Sequence, residues 1–305
     1  MADRTKRVLV TGSNGLLGQK LVALLQTRPG YEVIATARGE NRFNSPHGPF
    51  EYYSLDITNS AQVFDLLSTL APDYVVNTAA MTNVDQCETE RKECRNLNVD
   101  SVSYLAEACA ALNVFLLHLS TDFIFDGING PYDEQAEALP LSFYGQSKLD
   151  AEEVLINSPL KWAIARTVLV YGIAQDMSRT NIILWVKKSL EDGKTINVVD
   201  DQWRTPTLAE DLALGCFLIL KHDATGIFNI SGKDFLTPYE MAIATANYFN
   251  LDKSLINKTD GSKFTQPAKR PPRTGFIIDK ARNVLGYEPH SFDEGIAELA
   301  KQLKS

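Results

Sequence analysis

Three glycines close to the N-terminus constrain the fold of this chain more than any other feature. Gly12, Gly15 and Gly18 follow an apolar run at residues 8–11 and open a leucine-rich amphipathic segment at residues 16–26. A strand that passes through such a loop into a helix is the start of a βαβ unit. The first glycine permits a tight turn, the second lets the backbone approach a pyrophosphate, and the third lets the helix pack closely on the strand. The sequence therefore predicts a dinucleotide-binding unit.

Apolar runs and amphipathic segments continue to alternate through the first half of the chain. The runs, interpreted as buried parallel strands, are residues 8–11, 31–36, 74–77, 114–120 and 162–170, and the crossover helices between them are residues 16–26, 61–70, 96–112 and 144–156. This pattern predicts an α/β fold with a Rossmann doubly wound parallel sheet and a smaller C-terminal α/β substrate domain. We expect residues 1–170 plus about 197–225 to form the NADP-binding Rossmann domain, and residues 171–196 plus 226–305 to form the substrate-binding domain.

Composition and charge argue against several classes of partner. The 305 residues are 44% hydrophobic and 22% charged, which is ordinary for a globular protein. A net charge of -8 argues against binding to nucleic acid, because neutralising phosphates requires clustered Lys and Arg. The N-terminus has no apolar stretch long enough for a signal peptide, and the longest apolar run, residues 212–220, is too short to span a bilayer. We expect neither a nucleic-acid nor a membrane partner.

The cysteines and histidines show neither a disulfide nor a metal-binding pattern. Cys87, Cys94, Cys109 and Cys216 form no C-x-x-C pair and are interpreted as reduced thiols in a cytoplasmic chain. The histidines stand far apart without a second ligand three or four residues away, so no metal is expected. His118, between two leucines, is interpreted as a histidine of the core.

The end of the second predicted strand indicates which dinucleotide binds. The acidic side chain that would hold the adenosine ribose hydroxyls is missing there, and Arg38 follows the strand instead. A guanidinium can bind a phosphate with two charge-assisted hydrogen bonds, so Arg38 favours a ribose 2′-phosphate; the alternative is a solvated arginine. We expect NADP(H), with NAD(H) left open. Asp56, at the end of a short apolar run, is a candidate acceptor for the adenine amino group.

A tyrosine and a lysine four residues apart supply candidate proton-transfer groups. Tyr144 and Lys148 follow Ser142, which predicts a helix start, so they share one face of the first turns. A nearby ammonium is expected to lower the pKa of the phenol and ease proton transfer, and Lys148 can also donate to the nicotinamide ribose. Thr121 lies at the carboxyl end of the strand predicted at residues 114–120, where ligands bind, and its hydroxyl can orient a carbonyl. With the glycines, this set predicts a carbonyl reductase; the alternatives are an exposed helix start and an ordinary turn.

These residues resemble the extended short-chain dehydrogenase/reductase family, and within it the dTDP-4-dehydrorhamnose reductase branch. The resemblance runs through TGSNGLLG at 11–18, NTAA at 77–80, NV at 98–99, STDFIFDG at 120–127, YGQSK at 144–148, ART at 165–167 with YG at 171–172, DQ at 201–202 with PT at 206–207, and RP at 270–271. It implies an NAD(P)-dependent oxidoreductase that reduces a keto group on a nucleotide-activated deoxysugar, with Thr121, Tyr144 and Lys148 as its catalytic set. The expected cofactor-binding residues are Gly12, Ser13, Asn14, Gly15, Leu16, Leu17, Gly18, Arg38, Asp56, Ile57, Ala79, Ala80, Asn98, Tyr144 and Lys148.

Three residues depart from that branch where it would hold its sugar. Phe123 replaces the tyrosine of S-T-D-Y-V-F-D-G, Leu169 stands where a tryptophan follows the Arg-Thr pair, and Arg204 replaces the glycine of D-Q-x-G-x-P-T. The loss of a phenol hydroxyl and an indole removes polar and stacking contacts to a hexose. We expect the nucleotide-sugar pocket to lie against Asp122, Phe123, Leu169 and Arg204. The sequence leaves the ketosugar and a homodimeric assembly open.

The second half of the chain is also similar to the regulatory β subunit of methionine adenosyltransferase. This similarity lies in GIFNISG at 226–232 and PYEMA at 238–242. It implies an alternative function, an NADP-binding regulatory subunit in which the catalytic set is inherited and the cofactor is a structural ligand. The charged segment at residues 298–305 shows no apolar tail that could insert into a partner, which favours the enzyme.

Overall fold

Strands and helices alternate along the residues that the computed structural model describes, 4–176, 180–263 and 266–303. The strands are β1 (Lys6–Thr11), β2 (Tyr31–Ala37), β3 (Glu51–Ser54), β4 (Tyr74–Asn77), β5 (Phe115–Thr121), β6 (Trp162–Thr167), β7 (Val170–Tyr171), β8 (Ile196–Val199), β9 (Thr207–Leu208), β10 (Gly226–Asn229) and β11 (Ile256–Thr259). The helices are α1 (Leu16–Gln26), α2 (Ser60–Leu70), α3 (Val84–Thr89), α4 (Arg91–Arg95), α5 (Ser101–Leu112), α6 (Phe143–Ile156), α7 (Ile182–Glu191), α8 (Ala209–Lys221), α9 (Pro238–Tyr248), α10 (Asp279–Leu285) and α11 (Phe292–Gln302). A π-helical turn at Asn96–Asp100 leads into α5, and 3-10 turns lie at Asp122–Ile124, Lys253–Leu255 and Gly261–Lys263. The last two residues of the charged segment at 298–305 lie outside the described residues.

A parallel sheet of seven strands forms the centre of the described chain, in the order β10-β6-β5-β4-β1-β2-β3. Every neighbouring pair in this sheet is parallel. The chain moves outward from β1 to β3 and then returns to β4 on the other side of β1, which creates a topological switch point between β1 and β4. Ligands of open α/β sheets bind outside the carboxyl ends of the strands at such a point. The predicted Rossmann-like α/β fold is confirmed.

Helices cover both faces of the sheet because successive strand residues point to opposite sides. Val8 and Val10 pack in a cluster with residues of α1, α8 and α10, whereas Leu9 packs in a second cluster with residues of α2, α5 and α6. Both faces are therefore buried, as an all-parallel sheet requires.

Two strands lie in different sheets from those that the predicted domain boundaries implied. β10 pairs with β6 and extends the central sheet, although residue 226 was expected to begin the substrate domain. β8 pairs instead with β11, although residues 197–199 were assigned to the Rossmann domain. Short edge strands explain the difference, because strands of four residues carry too little pattern to reveal their partners. β3 was missed for the same reason, since most of its side chains are exposed.

A smaller layer packs beside the carboxyl end of the central sheet. Its two-stranded sheet, β8 with β11, buries Ile196 and Val198 against α7 and α9. A second short pair, β7 with β9, connects this layer to the end of β6 and the start of α8. None of the helices in the described part of the chain is long and apolar enough to cross a membrane.

Candidate active site

The glycine loop brings α1 and β4 unusually close to the turn after β1. Gly12 has φ of 66°, and a Cβ atom there would lie 2.8 Å from the Ala79 backbone nitrogen. A Cβ atom on Gly18 would lie 2.4 Å from the Gly12 carbonyl oxygen. Gly15 is the N-cap of α1 and offers no side chain to its first turn, so the free N–H groups there can bind a phosphate.

Buried polar atoms beside this loop fit a bound ligand. The Ser13 backbone nitrogen donates to the Thr36 carbonyl oxygen at 3.0 Å, but its buried hydroxyl has no hydrogen-bond partner in the described part of the molecule. The same holds for the buried hydroxyl of Ser120, next to Thr121. Because native proteins rarely leave such groups unpaired, the Ser120 hydroxyl, which lines the cavity that contains Thr121, suits a site in which a polar ligand supplies the partner.

A cavity of about 320 Å³ extends from the glycine loop towards the end of β2. It contains most of the predicted cofactor residues from this region and is lined by Gly12, Asn14, Gly15, Ala37, Arg38, Arg42, Leu55, Asp56, Ile57, Thr78, Ala79, Ala80 and Leu97. Asp56 accepts hydrogen bonds through Oδ1 from the backbone nitrogen and hydroxyl of Thr58, at 3.0 and 2.7 Å, and these bonds lower its pKa. The carboxylate is thus held ionised in the cavity wall.

Arg42 is a residue of this cavity that the sequence analysis missed. Its backbone nitrogen donates to Asn14 Oδ1 at 2.9 Å, and the Asn14 amide donates to the Glu40 carbonyl oxygen at 2.9 Å. These bonds tie the loop after β2 to the glycine loop, so Arg38 and Arg42 line one cavity. In the sequence, Arg42 follows Arg38 by four residues, and this spacing could have indicated a second arginine near the 2′-phosphate.

A second cavity of about 570 Å³ brings together the predicted catalytic residues. Thr121, Tyr144 and Lys148 line it, and so do Gly15, Leu16, Leu17, Gly18, Thr78, Ala80, Thr82, Val84, Leu119, Ser120, Asp122, Phe123, Thr167, Leu169, Val170 and Leu212. Gly15, Thr78 and Ala80 line both cavities, so the two cavities adjoin at the glycine loop.

Helix α6 holds Tyr144 and Lys148 in its first turns. Ser142 is its N-cap, and its hydroxyl accepts from the Gly145 backbone nitrogen at 3.1 Å, as the predicted helix start requires. The predicted lowering of the Tyr144 pKa by the lysine is wrong for this state. Burial raises the pKa of the phenol, and a hydrogen bond with Thr121 only partly opposes the effect. The lysine Nζ atom lies instead 2.9 Å from His118 Nε2.

Asp122 and Arg204 form a buried charged pair behind Thr121. Asp122 Oδ1 accepts from the Thr121 hydroxyl at 3.1 Å, Oδ2 accepts from the Thr274 hydroxyl, and Arg204 Nε lies 3.6 Å from Oδ2. Arg204 also donates to the Trp203 and Pro271 carbonyl oxygens, at 2.7 Å each. Its guanidinium is therefore occupied by protein atoms, and Arg204 is not among the residues that line the second cavity.

Phe123 and Leu169, the other two departures, do face the second cavity. The Phe123 ring packs against the Tyr144 ring with centroids 5.8 Å apart, and the Arg204 Cζ atom lies 6.0 Å from the centroid of the Phe123 ring. Leu169 is 42% exposed and adopts φ of 38°, which is uncommon for a residue with a Cβ atom. This wall of the second cavity is thus more apolar than a tyrosine and a tryptophan would make it.

Asn98, predicted to bind the cofactor, lies behind the site. Its Oδ1 atom accepts from the Met81 backbone nitrogen at 2.8 Å, and its Nδ2 atom donates to the Ser147 hydroxyl at 3.1 Å. Asn98 therefore fixes the loop after β4 against α6. Ser13 is likewise absent from the lining of both cavities, although it belongs to the glycine loop.

A family model and several known proteins are similar to this chain over nearly its whole length. A family model described as the RmlD substrate binding domain matches residues 6–305. The chain is 30% identical to a dTDP-4-dehydrorhamnose reductase of Aggregatibacter actinomycetemcomitans, over 96% of this chain and 98% of that protein. It is 32% identical to methionine adenosyltransferase 2 subunit beta of Pongo abelii, over 96% of this chain and 86% of that protein. A crystal structure of dTDP-4-dehydrorhamnose reductase from Bacillus anthracis in complex with NADP is 25% identical, with a TM-score of 0.83 over 98% of this chain and 99% of that one.

Proposed function

Because this chain belongs to the RmlD substrate binding domain family, we propose that it is an NADPH-dependent reductase of a keto group on a nucleotide-activated deoxysugar. The observation that carries the proposal is the convergence of Thr121, Tyr144 and Lys148 on the cavity that the glycine loop borders. A relative that is a dTDP-4-dehydrorhamnose reductase, and a similar structure that holds NADP, support the reaction type and the cofactor. NAD(H) remains an alternative cofactor.

The chain's own residues have distinct parts in the proposed reaction. NADPH, when bound, supplies the hydride for the carbonyl carbon. The Tyr144 hydroxyl donates a proton to the carbonyl oxygen, and because burial raises its pKa, it is fully protonated at neutral pH. The Thr121 hydroxyl contacts the phenol and donates to Asp122 in this structure, so it would orient that oxygen by turning its proton from Asp122 towards it. Lys148 would hold the nicotinamide ribose and, when charged, would offer a replacement proton.

The cofactor is proposed to span both cavities. The N-terminus of α1 would hold the pyrophosphate, and the loop with Arg38 and Arg42 would hold the 2′-phosphate. The sugar would enter from the side of Phe123 and Leu169, where Val170 of β7 also lines the cavity and β7 connects to the layer that contains β8 and β11. We propose that the central sheet binds the cofactor and this smaller layer contributes the substrate side.

A cytoplasmic location and a homodimer are further parts of the proposal. The four cysteines are buried and free, which suits a reducing compartment. Two-fold homodimers are the commonest assemblies of soluble proteins, so a second copy of the chain is the proposed partner, and size-exclusion chromatography with light scattering tests it.

The deciding experiment follows NADPH absorbance with a panel of nucleotide-4-ketosugars. Tyr144→Phe should lower turnover by about 10² to 10⁴, since it removes the proton donor, and should leave NADPH affinity nearly unchanged. Tyr248→Phe is a matched control, because this tyrosine is 46% exposed on α9. Full activity of Tyr144→Phe would remove Tyr144 from the mechanism.

The regulatory subunit is the second candidate, because one relative is methionine adenosyltransferase 2 subunit beta. Under this alternative the wild type would reduce no ketosugar in the panel. It would instead bind a methionine adenosyltransferase catalytic subunit, and Tyr144→Phe would change neither cofactor nor partner binding. Titration against that catalytic subunit, with and without NADPH, distinguishes the two functions.

A further inference from the structure

A row of hydrogen-bonded side chains crosses the sheet and ends on Lys148. The Thr11 hydroxyl donates to Asn77 Oδ1 at 2.6 Å, and Asn77 Nδ2 lies 3.1 Å from His118 Nδ1. His118 Nε2 in turn lies 2.9 Å from Lys148 Nζ. Thr11 and Asn77 are register partners in β1 and β4, as are Asn77 and His118 in β4 and β5. All four side chains are buried. The register of the strands therefore places the His118 imidazole at the end of the row, in contact with Lys148.

We propose that His118 is a positioning residue for Lys148. It holds the lysine amino group whether that group is charged or neutral, and the Asn77 amide turns so that its oxygen or its nitrogen faces the imidazole. This role rests on the proposed function, in which Lys148 serves the proton donor and the cofactor. It gives His118 more than the core-filling part that its neighbours in sequence suggested.

The donors and acceptors of Asn77, His118 and Lys148 permit two arrangements, and the Thr11 hydroxyl donates to the Asn77 amide in one and accepts from it in the other. An ammonium group only donates, so beside a charged Lys148 the Nε2 atom of His118 accepts and Nδ1 carries the proton. The Asn77 oxygen must then face the ring. In the structure the Asn77 nitrogen faces Nδ1, which fits a proton on Nε2 and a neutral amine. Half a turn of the amide exchanges the two arrangements, and its nitrogen and oxygen are nearly equal in size.

The charged and titratable groups around Lys148 leave His118 as its direct partner. Burial lowers the pKa of Lys148, Glu152 and Cys94 partly oppose this effect, and the resulting pKa is about 8. Glu152 is itself paired with Arg166 through hydrogen bonds of 2.9 and 2.6 Å, so its charge is already compensated. Tyr144 lies one turn earlier on α6. Burial, assisted by Lys148, holds the pKa of His118 well below its ordinary value, so the ring stays neutral.

Nitrogen NMR of the wild-type histidine rings tests the proposal without turnover. Between about pH 6.5 and 9.5 the His118 signals should change from a ring protonated on Nδ1 to one protonated on Nε2, as Lys148 loses its proton. Lys148→Met should abolish this change. A His118 ring that keeps one tautomer throughout the range would overturn the proposal.

Lysine labelled with ¹³C at Cε gives a second measurement, on variants. His118→Leu removes the imidazole nitrogen that accepts from the Lys148 ammonium group. Because hydrogen bonds to a charged group are stronger than those to a neutral one, this loss destabilises the charged lysine, and the pKa of Lys148 should fall by about one to two pH units. His118→Gln keeps an amide oxygen within reach and should restore most of the difference. His222→Leu, an exposed position, is the control.

An unchanged Lys148 pKa in a folded His118→Leu protein would contradict the proposal, and thermal unfolding checks that the variant is folded. Neither NMR experiment uses a ketosugar, so a negative result here leaves the reductase function intact. Conversely, an inactive wild type would leave these titrations unaffected.

Discussion

At the scale of residues, Arg38 and Arg42 are expected to decide the preference for the cofactor. Both line the cavity at the end of β2, where a 2′-phosphate would lie. A hydrogen bond to a charged group contributes about 1.5 to 3 kcal/mol, so Arg38→Ala should lower the ratio of NADPH to NADH affinity by about ten- to a hundredfold. Fluorescence titration with both cofactors at one ionic strength measures this ratio.

The affinity for NADH should stay constant in Arg38→Ala, because the lost contact is to the phosphate alone. Arg42→Ala should have a smaller effect, since Asp176 lies 3.4 Å from the Arg42 guanidinium and competes for it. Arg95→Ala, at an exposed arginine that pairs with Asp150 at 3.6 Å, is the control for net charge. Equal affinities of the wild type for the two cofactors would refute the prediction.

Phe123 and Leu169 carry a prediction about the substrate. Both face the cavity that holds Tyr144, and neither can make the polar contact of a phenol or an indole. We therefore expect another nucleotide-4-ketosugar to have a higher kcat/KM than dTDP-4-dehydrorhamnose. Phe123→Tyr should move the preference back towards the rhamnose precursor. If the wild type already has its highest kcat/KM with that precursor, the substitutions are neutral and the prediction is wrong.

At the scale of elements, the contact between α1 and the glycine loop is a sensitive point. A Cβ atom at Gly18 would lie 2.4 Å from the Gly12 carbonyl oxygen, so Gly18→Ala must push the helix away from β1. Such overpacking costs about 1 to 3 kcal/mol in the free energy of unfolding. Urea denaturation measures the loss. Gly15→Ala is the matched comparison, because its Cβ atom would lie 3.2 Å from that oxygen and should cost less.

Most of the elements around the site could be predicted, because buried strands and long amphipathic helices carry strong patterns. The bounds predicted for α1 agree with the structure, and those of α2 differ by one residue. The edge strands β3 and β10 could not be placed, since their four residues carry little apolar pattern. The partners of β8 depend on contacts with β11, almost sixty residues later, and local sequence does not encode them.

At the scale of the molecule, Asp122 and Arg204 connect the end of β5 to the chain that precedes α10. Arg204→Leu would leave the Asp122 carboxylate buried without its counter-charge. Breaking a buried pair in this way costs about 3 to 5 kcal/mol in the free energy of unfolding. The double variant Asp122→Asn with Arg204→Leu should recover most of that loss in the free energy of unfolding. Urea denaturation of both variants measures the difference.

This loss should also depend on pH. Burial raises the pKa of Asp122 above 3.8, and Arg204 opposes this effect. Arg204→Leu removes the opposing charge and should raise the pKa of Asp122 further. A carboxyl group with a raised folded pKa favours folding when protonated, and that stability is lost as pH rises through the folded pKa. The free energy of unfolding of Arg204→Leu should therefore differ less from that of the wild type at pH 4 than at pH 7. An equal difference at both values would argue against a charged Asp122.

The site itself could be predicted only where residue type and strand position coincide. Thr121, Tyr144 and Lys148 could be selected as candidates because of their places at a strand end and a helix start, and the structure brings them to one cavity. The role of Arg204 could not be anticipated, because its partners are carbonyl oxygens from residues 271 and 272. His118 meets Lys148 only through the packing of α6 on β5, thirty residues apart in sequence.

The row of Thr11, Asn77 and His118 has a consequence for how the sheet assembles. Aliphatic strands such as β1, β4 and β5 could pair side by side in several alignments with similar burial of their valines and leucines. A slip of one residue turns the side chains of a strand to its opposite face. The polar side chains of the neighbouring strands would then be buried away from water without hydrogen-bond partners. We expect misaligned pairings to be rejected for this reason, so that three polar residues select the alignment of the strands during folding.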